Sequence, residues 1–508
     1  MPGRMEFEFG FSTADVAGKK RGEGTMRILM MGDFSGRANR GVMESGESLA
    51  TRPLSMVDVD NFETLIGRYR PRLEFPLGEA VQILEFAELD DFHPDALYQR
   101  LELFKSLRSL RSRLANPATF PQAAAELKFD ATPAKEPTDT EPTTSQQQEN
   151  EDNMFQRLLG KAPSEPEAAT AAQAAGVDKF IRDIVAPHVV RQDTQQQDAY
   201  IASVDDAIST QMRGLLHEPA FQALESAWRS VHRLVSGLET GEELKLYLLD
   251  VSKEELAADV AGAGEDLENS GLYRLLVEQG IRTLGGESWS LLVGDYRFGP
   301  DREETTLLAA LGAIASHAGG PFLAAASPAI LGCSSLVDSP AVDNWQGLDR
   351  ENEQSWQALR ESSVAPWIGL ALPRVLLRLP YGSQGDEIDS FRFEEMAGAS
   401  SPDHDSLLWG SPAYACAMLL GITFQERGWA MEPGDLQDIE DLPAYTYDDD
   451  GERRLIPCAE TLLSERTGEA ILGQGLMPLL SYRNRNTVRV LRFQSIASPG
   501  TALSGPWG

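Results

Sequence analysis

Residues 27 to 37 read Arg-Ile-Leu-Met-Met-Gly-Asp-Phe-Ser-Gly-Arg, and residues 289 to 296 read Trp-Ser-Leu-Leu-Val-Gly-Asp-Tyr. Each is a short apolar run of the kind buried on both faces of a sheet, and each breaks at Gly-Asp-aromatic. They stand in two regions separated by a low-complexity acidic stretch, so the chain reads as two polypeptides joined end to end. At 508 residues it can bury several cores, and a prior of roughly 150 residues per domain suggests about three.

Working outward from the first run, residues 1–24 are predicted to be an extended arm. Phe7, Phe9 and Phe11 alternate there with polar residues, a pattern suited to a strand added to another sheet's edge. Residues 25–128 read as a small α+β domain: a strand over Arg27 to Met31, a helix after the start signal Asp58-Val59-Asp60-Asn61, and a strand over Val81 to Phe86. One long helix follows, in which Leu97, Leu101, Phe104, Leu107, Leu110 and Leu114 make a single apolar stripe. Residues 129–176 turn to Pro, Thr, Glu, Gln and Ala and read as a disordered acidic linker, with a root-mean-square span near 35–40 Å for about 45 residues. Inside it, Met154, Phe155, Leu158 and Leu159 share one face if helical, either a docking peptide or a minor packing patch.

Residues 177–240 are predicted to be helical, with Phe221, Leu224, Trp228, Val231 and Leu234 at helical spacing. Residues 241–496 then alternate strands (Leu244 to Val251, Ser290 to Val293, Phe322 to Ala325) with helices (Lys253 to Ala261, Gly271 to Gly280, Thr305 to Ala318, Ala413 to Arg427). That alternation predicts a largely parallel sheet covered on both faces, so the fold class is α/β, mixed with α+β in the first segment. Residues 497–508 read as a frayed, flexible tail.

Composition limits the chemistry. A formal charge of −33 repels nucleic acid and anionic lipid, so neither is an expected partner. Cys333, Cys416 and Cys458 have no metal-clip spacing, and a reducing compartment suits them. The N-terminus lacks the apolar core of a secretory signal and no run is long enough for a membrane helix, which predicts a cytoplasmic protein. There is no phosphate-loop motif and no G-x-G-x-x-G after a strand, and Ser35 stands one position too late for a nucleophile elbow. His93, His188, His217, His232, His317 and His404 never pair at i,i+3 or i,i+4, which leaves a metal site weakly supported. Asp33 and Asp295 could be catalytic carboxylates, but an Asp after Gly at a strand end more often bonds its own turn or caps a helix. No catalytic, metal or cofactor residues are therefore assigned.

Several stretches carry a resemblance. Leu215-Leu216-His217-Glu218-Pro219-Ala220-Phe221-Gln222-Ala223-Leu224-Glu225-Ser226-Ala227-Trp228-Arg229 resembles the signature helix of the large subunit (TssC- or VipB-like) of the type VI secretion contractile sheath. Val293-Gly294-Asp295-Tyr296, Pro373-Arg374 through Pro380-Tyr381-Gly382, Trp409-Gly410, Asp441-Leu442-Pro443, Gly475 to Leu479 and Phe493-Gln494-Ser495 follow in the family's order. Met30 to Arg37 with Gly32 and Asp33, Val59-Asp60-Asn61-Phe62 and Phe92-His93-Pro94-Asp95 resemble the small subunit (TssB- or VipA-like). Gly32, Asp33, Trp228, Gly294, Asp295, Arg374, Pro380 and Trp409 are its structural motif residues.

The resemblance implies a fusion of small and large subunits into one sheath-protomer-like chain. Such protomers stack around an inner tube, contract on a baseplate, and are unfolded by a ring AAA+ ATPase. Met154 to Leu159 would be the ATPase-docking element and Phe7 to Phe11 the assembly arm. The large-subunit resemblance stops at Ser495, where the family usually continues into a strand-exchanging domain. The sequence therefore favours a specialised sheath-end, baseplate-proximal or assembly-modulating component, partnered by sheath subunits or by itself. The alternatives are a soluble binding module for a basic protein and, behind it, an α/β hydrolytic enzyme.

Overall fold

The apolar run at Met26–Gly32 is buried almost throughout, and because it does not alternate it needs cover on both faces of a sheet. In the computed structural model, which describes residues 24–77, 80–128, 197–283, 285–383, 385–396, 402–449, 451–483, 485–498 and 500–507, it gets that cover in an unexpected place.

In chain order the first segment holds β1 (Met26–Gly32), α1 (Glu47–Ala50), β2 (Ser55–Val57), α2 (Phe62–Tyr69), β3 (Arg72–Leu77), β4 (Ala80–Glu85), α3 (Pro94–Arg100), α4 (Glu102–Ala115) and α5 (Phe120–Lys128). The rest holds α6 (Gln197–Leu216), α7 (Pro219–Gly237), β5 (Leu244–Asp250), α8 (Lys253–Ala263), α9 (Gly271–Tyr273), β6 (Leu291–Phe298), α10 (Arg302–Ala318), β7 (Phe322–Ala326), α11 (Arg350–Glu361), β8 (Ile368–Leu372) and β9 (Val375–Leu376). It closes with β10 (Trp409–Gly410), α12 (Pro412–Arg427), β11 (Asp438–Ile439), β12 (Tyr445–Asp449), β13 (Glu452–Ile456), α13 (Glu465–Gly473), β14 (Met477–Ser481) and β15 (Val488–Val490). The arm residues Phe7, Phe9 and Phe11, the apolar motif Met154 to Leu159 and the helix predicted over Val177 to Val185 lie outside the described residues.

One nine-stranded sheet runs β11-β15-β14-β8-β7-β6-β1-β5-β2. The six strands from β14 to β5 are parallel, and β2, β15 and β11 are antiparallel additions at the edges. The mixed α/β class read from the sequence is the observed one. The boundary at residue 128, however, does not separate two sheets. β1 sits between β5 and β6, with Met26 opposite Leu244, Gly32 opposite Asp250 and Ile28 opposite Leu291. Among the described residues, the hairpin β3–β4 is the one sheet made by the first segment alone.

Side chains of β1 divide by period two. Met26, Ile28 and Met30 enter a core with α3, α4, α6, α7 and α12, whereas Leu29 and Met31 enter a second core with α8, α10 and α11. A third, small core joins Leu376, Leu407, Trp409 and Tyr445.

Four expectations need correction. The long helix breaks at Leu101, whose backbone is extended (φ −74°, ψ 134°); every stripe residue is still buried, because the break re-aims α4 onto α6. The helix over residues 271–280 is a single α turn followed by a π turn, Arg274–Glu278. β6 does not stop at Gly-Asp but runs on to Phe298 through an irregularity between Val293 and Arg297. The tail is not frayed: Leu503 and Trp507 are buried, the Trp507 indole donates to Leu503 O at 3.0 Å, and Ser504 N donates to Pro366 O at 2.7 Å.

Candidate functional site: the junction of the two segments

The turn after β1 does most of the joining. Gly36 has φ +75°, and a Cβ there would lie 2.3 Å from Arg72 O, so the turn that aims Arg37 toward α8 requires glycine. At Gly32 the close approach is to the second segment, because an added Cβ would meet Asp295 Cβ at 3.1 Å. Asp33 accepts from the backbone N–H of Arg37 (2.5 Å) and Ala38 (2.9 Å), so it caps its own turn. Ser35 donates through N and Oγ to Asp250 at the end of β5, at 3.0 and 2.7 Å.

Beside this turn a buried ion cluster bridges the segments. Glu255, in the first turn of α8, is fully buried and accepts from Arg37 (2.7–3.0 Å) and Arg52 (3.0–3.2 Å). It also closes a capping box with Ser252. Burial alone would raise its carboxyl, but the hydrogen bonds from Arg37 and Arg52 outweigh that and hold it below the usual range.

On the other face of the sheet, Trp228 of α7 donates from Nε1 to Phe34 O at 2.9 Å. Its ring packs against Phe34, Phe62 and Tyr69, with centroids at 5.5, 6.0 and 5.8 Å. Further along, Arg111 of α4 makes a two-pronged pair with Asp205 of α6, and Asp95 accepts from the backbone N–H of Asp389 and Ser390. Arg27 lies over the Trp289 ring at 4.1 Å.

The remaining motif residues serve the second segment. An added Cβ on Gly294 would come within 2.6 Å of Phe322, so β6 and β7 can approach only because it is absent. Arg374 donates from Nε to Glu460 at 2.6 Å, and the Trp409 indole donates to His404 O at 2.9 Å. Pro380 O accepts from Asp386 N at 3.1 Å and closes a loop that carries Glu395 inward. There Arg378 is held between buried Glu225 and Glu395. Sequence reading missed Arg37, Arg52, Glu255 and Arg378; the one visible signal was Ser252-x-x-Glu255, which reads simply as a helix start.

Asp33 and Asp250 stand at the carboxyl ends of β1 and β5, and Asp295, inside the adjacent β6, lies level with them. Burial, followed by mutual repulsion, pushes Asp295 up to about 7, and burial raises Asp250 to about 6. Asp33 and Asp295 line a cleft of about 390 Å³ with Asn39, Ser252, Lys253 and Tyr296, and no histidine lines it. Among the described residues lining this cleft, no histidine stands beside either Gly-Asp pair. Among the described residues, no group of three or more His, Cys, Asp or Glu could hold a metal ion, and no helix is long and apolar enough to cross a membrane.

These carboxyls make stability depend on pH in opposite directions. Asp295 and Asp250 hold protons more tightly when folded than when unfolded. Stability should therefore rise as pH falls from about 7 toward the unfolded value of 3.8. Glu395 and Glu460 are held near about 2 because Arg378 with His217, and His404 with Arg374, outweigh burial; their stabilisation is lost as pH falls from 4.5 toward 2. Asp295→Asn is expected to raise the melting temperature at pH 8, by a clearly smaller amount at pH 5, and hardly at all near pH 3.8. An equal offset at all three pH values would refute the assignment.

A sheet in which one segment's strand is locked between two strands of the other defines an α/β protein of two interlocked parts, joined by strand pairing and cross-segment ion pairs. The chain belongs to the family described as EvpB/VC_A0108, tail sheath N-terminal domain, whose profile matches residues 198–497. Residues 2–127 match the family described as Type VI secretion system, VipA, VC_A0107 or Hcp2. Among curated proteins, the chain is 33% identical over 309 residues to the type VI secretion system sheath protein TssC1 of Pseudomonas aeruginosa, covering 59% of this chain and 61% of that protein. It is 30% identical over 98 residues to the sheath protein TssB1 of the same organism, covering 18% of this chain and 55% of that protein. The resemblance of the two segments to small and large sheath subunits is thereby borne out, and the chain spans under two thirds of the length of either relative.

Proposed function

We propose that this chain is a structural subunit of a type VI secretion sheath in which one polypeptide supplies both the small-subunit and the large-subunit part of a protomer. The observation that carries this reading is β1, a strand of the small-type segment lying inside the sheet of the large-type segment. Residues 25–128 and 241–496 are then the two parts, and the protein acts by assembly in the cytoplasm without turnover of a substrate. Its partners are sheath subunits or further copies of itself. The inner tube, the baseplate and a ring AAA+ ATPase are further contacts, the last at Met154, Phe155, Leu158 and Leu159. The arm at Phe7, Phe9 and Phe11 would reach a neighbouring sheet edge.

Electron microscopy of the purified protein, alone and mixed with separate small and large sheath subunits, tests this. Incorporation into tubular or ring assemblies is expected, and exclusion from every assembly would refute the proposal. A second expectation concerns the covalent link. If a protease site is placed between residues 129 and 196 and cut, the fragments should co-elute on size exclusion, because β1 remains bonded on both edges. Clean separation in ordinary buffer would show that the interlock does not exist in solution.

A further inference from the structure

Ser230 on α7 and Tyr414 in the first turn of α12 are both buried, and neither hydroxyl oxygen has a hydrogen-bond partner within the protein. Two such orphans are costly, since each hydroxyl gives up its solvation without return. Both residues line the same cavity, whose volume is about 20 Å³. That is above the roughly 10–15 Å³ one water molecule requires and far below what an organic ligand would need.

The rest of the lining suits the same guest. Met418, Leu234 and Leu442 make apolar walls that leave only a few polar positions. Ser411 caps α12, its Oγ accepting from Ala413 N at 3.3 Å, so its hydroxyl hydrogen is still available. Arg233 lines the cavity while its Nη2 donates to Glu440 O at 3.2 Å.

We infer that the cavity is a binding site for a single structural water, which joins the Ser230 hydroxyl to the Tyr414 hydroxyl and is completed by the Ser411 hydroxyl. A buried water of this kind makes about three hydrogen bonds to groups the chain cannot otherwise satisfy. The site ties the start of α12 to α7, the helix whose Trp228, two residues earlier, holds the turn after β1.

A density map of the full chain at about 2 Å or better is expected to contain a solvent peak within hydrogen-bond distance of both hydroxyls. Ser230→Ala and Tyr414→Phe should each lower the melting temperature by about 1–2 °C, and the double variant by less than the sum, because either change already strands the water. The opposite sign discriminates sharply: in a dry cavity, deleting an unsatisfied hydroxyl relieves a penalty and the melting temperature stays or rises. A dry cavity in the map, or either variant at or above the parent melting temperature, would overturn the inference.

Discussion

Glu255→Ala is expected to destabilise the chain by about 3–5 kcal/mol, a large fraction of what holds most domains folded. The carboxylate is buried beneath two guanidinium groups, from Arg37 and Arg52, and truncating it leaves both sharing the half-exposed Glu44, at 2.6 and 2.9 Å, in a site with little water. Most of the loss comes from those under-compensated cations, so adding Arg37→Ala to Glu255→Ala should cost less than Arg37→Ala alone. The measurement is a denaturant midpoint on all three variants. A single-variant loss under about 0.5 kcal/mol, or strict additivity in the pair, would mean that the cluster is a surface network worth little.

Trp228→Ala should cost a comparable 3–5 kcal/mol, from the cavity left among Phe34, Phe62 and Tyr69. Trp228→Phe separates the two contributions. It keeps most of the ring contacts but abandons Phe34 O, a buried carbonyl whose lost partner should cost about 1–3 kcal/mol. The alanine variant should also release the first segment after the chain is cut between residues 129 and 196, whereas the parent fragments stay together. Unchanged co-elution of the cut alanine variant would show that the other contacts suffice.

Much of the fold was legible because the strands of a doubly covered sheet announce themselves. β1 and β7 are apolar runs with almost no alternation, β5 and β6 keep an apolar half of the same kind, and the helices between them keep a helical period. What could not be read was adjacency. Met31 lies opposite Leu249 and Gly294, a pairing set by interdigitation across the sheet that no local pattern encodes. The break at Leu101 was hidden because the leucine spacing continues through it. The tail misled in the other direction: its Gly, Pro and Ser content reads as polar, yet Leu503 and Trp507 are core residues. Charged residues were hardest, since Arg37, Arg52 and Glu255 look like a solvated loop and a helix start until the turn after β1 brings them together.

The interior position of β1 also bears on how the chain is made. Its partners on either side are encoded roughly 220 and 260 residues downstream, and at a synthesis rate of about 5–20 residues per second that is a delay of roughly 10–50 s. Through that interval an apolar strand with two open edges waits at the ribosome, the kind of segment that pairs with the wrong neighbour when left uncovered. When two separate polypeptides supply such strands, the wait ends at a collision and lengthens as they become scarce. Here it ends on a translational clock, at a local concentration set by the intervening chain and independent of expression level.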